Sequence, residues 1–444
     1  MKRYMILALV LACLLLNGCA SVQNDLNILS GEQDKEARLE AADHLAKSQD
    51  KEAIKKLIEA SKTSELASQG VGEVRDSLIA ESLVKETDLL KTIDCLQVIG
   101  DEASYDKIFS MMLIAEDIKV LKKILDIITS TDNDQAIPYL VEFLSVSPDE
   151  GLTTTVENII MAYDNRAVPC LMQTAKDNVA DSAEFINATD LLAGIGEDAI
   201  LPLVGQLGAS SWAKDILIKI GASTADYVYP KIWDKDVRVR ADAIKVFSAL
   251  TESDKSLFNK LTETDIKMLV NLRTEHNDNS EDASAIDNLI LGSGSKALPY
   301  LAKYYLNQPW AEANIVIIGS PSLPYLEKIA AGGSNETMSK VIGNIQSIAQ
   351  SDEKATNSIL NIIKNKSLKQ IRNNYDYYIK LGQTGSEGIL ANALYKYGNA
   401  TMCVDYLNCG NDILYKAGER WATSHGYRVL SGGSHYGPSW GSGV

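Results

Sequence analysis

The chain has 444 residues, 45% hydrophobic and 23% charged, with 43 Lys+Arg against 59 Asp+Glu and a formal net charge of -16. This composition is globular: it excludes a disordered chain and a multispan membrane protein, and 6 Cys are too few for a disulfide-built miniature scaffold. The acidic balance argues against a protein that neutralises phosphates, so no nucleic-acid partner is expected.

The N-terminus has a basic start (Lys2, Arg3), an uncharged apolar run from Met5 to Leu16, and then Asn17, Gly18 and Cys19. That is the order of a secretion signal. The run is shorter than the roughly 20 residues that a membrane-spanning helix needs. Leu16, Gly18 and Cys19 resemble the lipobox of bacterial lipoproteins, in which the Cys thiol is lipidated and the signal removed; Asn17 departs from the usual Ala or Ser. The resemblance implies a signal peptide over 1–18, acyl chains on Cys19, and membrane attachment without a spanning helix. Ala20 in place of Asp after the Cys implies sorting to the outer membrane, on its periplasmic face or at the cell surface. Residues 19–30 read as a short tether.

From residue 31 to 380 one grammar recurs: an apolar helix end, often closed by Gly, a polar turn, and a Pro followed two places on by an aliphatic or aromatic residue. The prolines are Pro138, Pro169, Pro202, Pro230, Pro299 and Pro324, and the long gap between Pro230 and Pro299 holds one degenerate repeat with the polar stretch Thr274 to Ser284. Gly100, Gly196, Gly221, Gly292 and Gly319 are expected as left-handed caps, and each Pro is expected in the first turn of the next helix, where its missing N–H costs nothing. Helix pairs of this kind bury their apolar faces only by stacking on neighbours. The segment Asp234 to Leu250 resembles a HEAT repeat, with Val237, Val239, Ala241, Ala243, Ile244 and Phe247 on one face and Arg240 and Asp242 as a polar pair. The resemblance implies an all-α fold: a right-handed α-solenoid of HEAT-like helix pairs, closed by a small helical C-terminal cap.

Two stretches match a loose dinucleotide fingerprint, Gly194 to Ala199 and Gly292 to Ala297, but both fall at the repeat's cap and turn and neither follows a strand. The acidic turn His276 to Asp282 lacks the Gly and terminal Glu of a calcium loop. His44 sits on a charged helix and reads as solvated. Cys403, Cys409, His425 and His435 match no zinc spacing, so no metal and no cofactor are expected. Cys95 and Cys170 read as buried small hydrophobes. Cys403 and Cys409 could pair in an oxidising compartment, given a helix break near Leu407 or Asn408.

The last third differs: 13 of the 19 Tyr lie in residues 300–444. Tyr375, Tyr377 and Tyr378 cannot all face inward on one helix, and with Trp310, Tyr304 and Tyr305 they are the expected contact patch. Residues 381–430 read as the helical cap: Glu387 to Tyr397, Ala400 to Leu407, and an Asn411-capped helix that turns Leu414, Ala417 and Trp421 inward and ends at His425-Gly426, with Tyr427 folding back. Residues 431–444 read as a disordered Gly/Ser tail.

No catalytic constellation is evident. The expectation is a monomeric, non-catalytic repeat scaffold, lipid-anchored at the bacterial cell envelope and binding an envelope protein. The alternatives are an envelope polysaccharide or peptidoglycan binder working through the Tyr-rich third, or a HEAT-like lyase-type enzyme. Charge divides the chain: residues 301–444 hold 13 Lys+Arg and 10 Asp+Glu, leaving 30 against 49 in residues 1–300. An acidic arm standing off the membrane and a near-neutral binding end are therefore expected.

Overall fold

The computed structural model describes residues 21–31, 34–83, 88–146, 150–276, 280–350, 354–430 and 435–443; the signal segment 1–18 and Cys19 lie outside them. Among the described residues all regular structure is helical, with no strand, and no helix is long and apolar enough to cross a membrane. The chain divides into two compact units, one up to Tyr227 and one from Val228.

The described part of the first unit opens in α1 (residues 21–30), followed by α2 (Lys35–Ser48), α3 (Lys51–Ser61), α4 (Glu65–Glu81) and α5 (Leu89–Ile99). Side chains of Asp34, Asp50, Ser64 and Asp88 accept from the first free N–H groups of α2 to α5, which sets where each helix starts. Many helices pack on the helix two further along: α2 on α4, α3 on α5, Glu102–Ser110 on Ala136–Val146, Ala183–Ile195 on Ser211–Ile220. The same two-layer order holds in the second unit, where Val237–Ser253, Glu281–Gly292, Pro309–Ile318 and Asn335–Ala349 form one layer in succession. Asparagines stitch that layer together. Asn288 Nδ2 donates to Ser248 Oγ at 2.9 Å, Asn314 Nδ2 to Asp287 Oδ1 at 2.9 Å, and Asn344 Nδ2 to Glu312 Oε1 at 2.8 Å.

Gly100 closes its helix as the expected left-handed cap (φ 67°, ψ 19°), whereas Gly196, Gly221 and Gly319 end theirs at positive φ but with ψ of -116, -151 and -141°, outside the left-handed helical region and open only to glycine. Gly292 is not a cap. It is the last helical residue, and a Cβ there would lie 1.9 Å from Phe258 Cζ, so its role is to admit that ring; the positive φ falls on Gly294. Pro169, Pro299 and Pro324 occupy first turns. Pro202 is a correction: its helix starts at Glu197 and ends at Val204, short enough that the lost N–H breaks little of the ladder. In Val237–Ser253 the buried face comprises Ala243, Ile244, Val246, Phe247 and Leu250, whereas Val237 is exposed because it sits in the first turn.

The tether expected over 19–30 is also corrected. Residues 21–30 are helix, with Leu29 fully buried and Leu26 nearly so. The buried Arg38 guanidinium donates to Leu29 O at 3.1 Å and Leu66 O at 2.9 Å and pairs with Glu73 at 2.9 Å. His44, read as solvated, has Nδ1 2.5 Å from Asp25 Oδ2.

The C-terminal cleft as candidate functional site

The end of the second unit is built from three helices, Glu387–Tyr397, Ala400–Asn408 and Asp412–Ser424. Asn399 accepts from Met402 N at 2.9 Å, and Asn411 from Ile413 N and Leu414 N at 3.0 and 3.1 Å, so both later helices start at side-chain caps. They close tightly because Gly418 has no side chain: a Cβ there would sit 3.0 Å from Leu407 Cγ. Met402, Cys403, Tyr406, Leu414, Ala417 and Trp421 fill the interior. At Gly426 the chain reverses with φ 76°, and Tyr427 N donates to Ala422 O at 2.9 Å. The Tyr427 ring stacks on Trp421 at 5.9 Å and 12°, and His425 stacks on the same indole at 4.0 Å.

This reversal lays residues 427–430 beside the two helices and leaves a cleft of about 640 Å³. Val404, Leu407, Tyr415, Trp421, Tyr427 and Leu430 give it an apolar lining, and Asn408, Glu419, Arg428 and His435 supply polar groups. Leu430 is 80% exposed, Tyr427 57%, Val404 45% and Tyr415 41%, so the lining faces water. Isolated exposed apolar side chains are ordinary; several around one concavity mark a binding surface.

Behind the cleft, Asp405 is buried and accepts the Tyr375 hydroxyl, while its Oδ1 lies 3.0 Å from His435 Nε2. Burial and the neighbouring carboxylate push the Tyr375 phenol far above its ordinary range. Residues 435–443 are held by backbone hydrogen bonds, contrary to the disorder expected for them as part of a 431–444 tail. Trp440 N donates to Cys409 O at 2.7 Å, Gly441 N to Ile379 O at 3.0 Å and Gly443 N to Lys380 O at 3.0 Å. Glycine makes this possible: a Cβ on Gly382 would lie 2.4 Å from Gly441 Cα, and one on Gly437 1.8 Å from His435 Nε2.

The expected aromatic patch is distributed differently. Tyr305 and Tyr378 have no accessible surface and Trp310 is buried, so none of the three can offer a contact face. Tyr378 donates to Met338 Sδ at 3.2 Å, and burial pushes its phenol up to about 12. Trp310 lies under the fully buried Arg273 guanidinium at 5.1 Å, which pairs with Asp287 at 2.9 Å. Tyr304, Tyr375 and Tyr377 are half-buried, with Tyr304 donating to Asn271 Oδ1 at 3.0 Å and Tyr377 edge-on to Tyr378 at 5.6 Å. Cys403 and Cys409 are free: their thiols donate separately to Gly418 O and Tyr406 O, each at 3.3 Å, and burial raises both pKa values. Among the described residues no three metal-ligating side chains come together.

Sequence reasoning placed Trp421 and Tyr427 but missed the cleft. The available signal was Val404, Tyr415 and Leu430, apolar residues off the core face of their segments.

Stacked helix pairs in both units define the class: an all-α protein built of helical repeats. No family model matches the chain, and no curated protein matches it in sequence. Among solved structures it is similar to importin beta at 12% identity, covering 90% of this chain and 66% of that one with a TM-score of 0.30. It is similar to Kap121p at 11% identity, covering 90% of this chain and 53% of that one, TM-score 0.29. A circular tandem repeat protein matches at 12% identity over 92% of this chain and 85% of that one, TM-score 0.14. The chain thus spans just under two thirds of the importin beta chain and about half of Kap121p.

Proposed function

We propose that this protein is a lipid-anchored, non-catalytic helical-repeat scaffold of the bacterial cell envelope, held by acyl chains on Cys19 and docking a protein partner in the C-terminal cleft. The observation that carries the reading is the cleft itself, with Val404, Tyr415, Tyr427 and Leu430 exposed around about 640 Å³. Its one thiol, Cys403, is held protonated by burial, which favours binding over nucleophilic chemistry. The lipobox residues Leu16, Gly18 and Cys19 support the anchor.

A photo-crosslinker at Leu430, used in intact envelopes, tests the docking site. One protein adduct that disappears when Val404→Asp is added supports it. Retention on peptidoglycan with no protein adduct transfers the function to the glycan-binding reading, for which the exposed Tyr415 and Tyr427 rings would be stacking platforms. Cys19→Ser abolishes acyl labelling and releases the protein from membranes if the anchor is as proposed.

A further inference from the structure

We infer that the first repeat lies flush on the bilayer, presenting the edge formed by the α2–α3 turn and the end of α4 to lipid head groups. This rests on the proposed anchorage at Cys19. The argument is one of chain length and direction. Only Ala20 separates Cys19 from residue 21, which already lies in α1, and two peptide steps span at most about 7 Å. From that point the chain is fixed to the fold by the buried Leu26 and Leu29 and by Arg38 donating to Leu29 O.

The direction of α1 follows from its partners. Asp25 faces His44 and Leu29 faces Arg38, so α1 runs antiparallel to α2. Continuing at about 1.5 Å per residue brings residue 21 beside Lys47 and Ser48, where α2 turns into α3. α4 runs parallel to α2, since Arg38 pairs with Glu73 and Lys47 with Glu81, so its end lies at the same edge. The start of α5 joins it, because Gln49 Nε2 donates to Thr92 Oγ1 at 2.7 Å and Asp88 O at 3.3 Å.

That edge is mixed in charge, Lys47 and Lys51 standing among Asp50, Glu52, Glu81 and Asp88, and Leu83 beside them is 72% exposed, so the short linkage to Cys19, not charge attraction, keeps it at the head groups. Acyl chains at Cys19 hold this edge within reach of the surface at every moment, so even weak contacts there are made at high effective concentration. The membrane, not a spacer, then sets the orientation of the first repeat.

The test uses acylated protein in phosphatidylethanolamine/phosphatidylglycerol vesicles, with a fluorophore on Glu52→Cys or on Thr63→Cys in a Cys170→Ala background. These exposed positions stand at opposite ends of α3, about 16 Å apart. A head-group quencher should quench the Glu52 site several-fold more than the Thr63 site. A Gly/Ser insertion of about ten residues after Ala20 should abolish the difference without releasing the protein. Equal quenching of the two sites in vesicle-bound, acylated protein overturns the flush orientation while leaving the anchor intact. Absence of acyl label together with loss of vesicle binding overturns the anchor and the orientation with it.

Discussion

His435 Nε2 lies 3.0 Å from Asp405 Oδ1, which sets the C-terminal segment against the helix that walls the cleft. The backbone bonds from Trp440, Gly441 and Gly443 lie downstream of it. His435→Ala should therefore raise hydrogen exchange at those three amides by about tenfold, the effect of weakening local closure by about 1.4 kcal/mol. Gly437→Ala should do so more strongly, since its Cβ would fall 1.8 Å from the imidazole. Unchanged protection in both variants would show that the segment holds without the pair.

Gly292 and Phe258 provide the sharpest packing test. A methyl at 292 meets the Phe258 ring at 1.9 Å, and overpacking of this kind costs about 1–3 kcal/mol. Gly292→Ala should lower the urea midpoint, and adding Phe258→Leu should recover part of the loss. If Gly292 were merely a cap, the second change would only add damage.

The contrast between Gly292 and Gly196 shows what the sequence can disclose. Gly196, Gly221 and Gly319 were legible as helix ends because an end is decided by the residue and its own helix, as was the Asn411 start. Gly292 was misread because its reason stands 34 residues away, in Phe258. The same holds for α1, whose apolar content is too small to signal a helix until Arg38 and Gly70 receive Leu29. The last residues looked like linker because their partners are carbonyls of Ile379, Lys380 and Cys409, which no pattern announces. Tyr richness was read as contact surface, yet Tyr305 and Tyr378 hold repeats together from inside. The cleft was illegible because it arises only when residues 427–430 turn back on two helices.

The thiols give a direct readout of burial. Burial pushes Cys95 up to about 11 and raises Cys170, Cys403 and Cys409. Folded protein carrying Cys19→Ser and lacking residues 1–18 should react slowly with a disulfide reagent at pH 8, and denaturant should expose four thiols, Cys95, Cys170, Cys403 and Cys409. Two thiols would indicate a Cys403–Cys409 bridge.

Asp265 makes the second unit acid-sensitive. Burial alone would raise its pKa, but donors outweigh it: Thr262 N at 2.8 Å, the Tyr229 hydroxyl at 2.7 Å and Trp233 Nε1 at 2.7 Å hold it below the ordinary aspartate range. A depressed folded pKa means stabilisation that is complete above the unfolded value, about 3.9, and is lost as pH falls through the folded one. Asp265→Asn should cost about 1.5–3 kcal/mol at pH 7, and its Tm should fall less steeply than the parent's below pH 4. Parallel Tm curves would place the acid sensitivity elsewhere.

Tyr378 and Leu430 separate what holds the second unit together from what it presents. Tyr378 is fully buried, and truncating a large core aromatic costs about 3–5 kcal/mol, so Tyr378→Ala should sharply lower the thermal midpoint. Leu430 is 80% exposed, and a surface change there should alter stability by no more than about 0.5 kcal/mol. Its effect should fall on binding. Leu430→Asp puts a charge on an apolar rim, and desolvating that charge against a partner should weaken docking at least tenfold while calorimetry registers little change. If Leu430→Asp binds as tightly as the parent while Tyr415→Ala and Tyr427→Ala are also silent, the cleft is not the docking end. A Tyr375→Phe variant adds a finer measure: it removes the hydroxyl that Asp405 accepts without opening space, so any loss of binding would have to pass through Asp405 and His435 to the cleft wall.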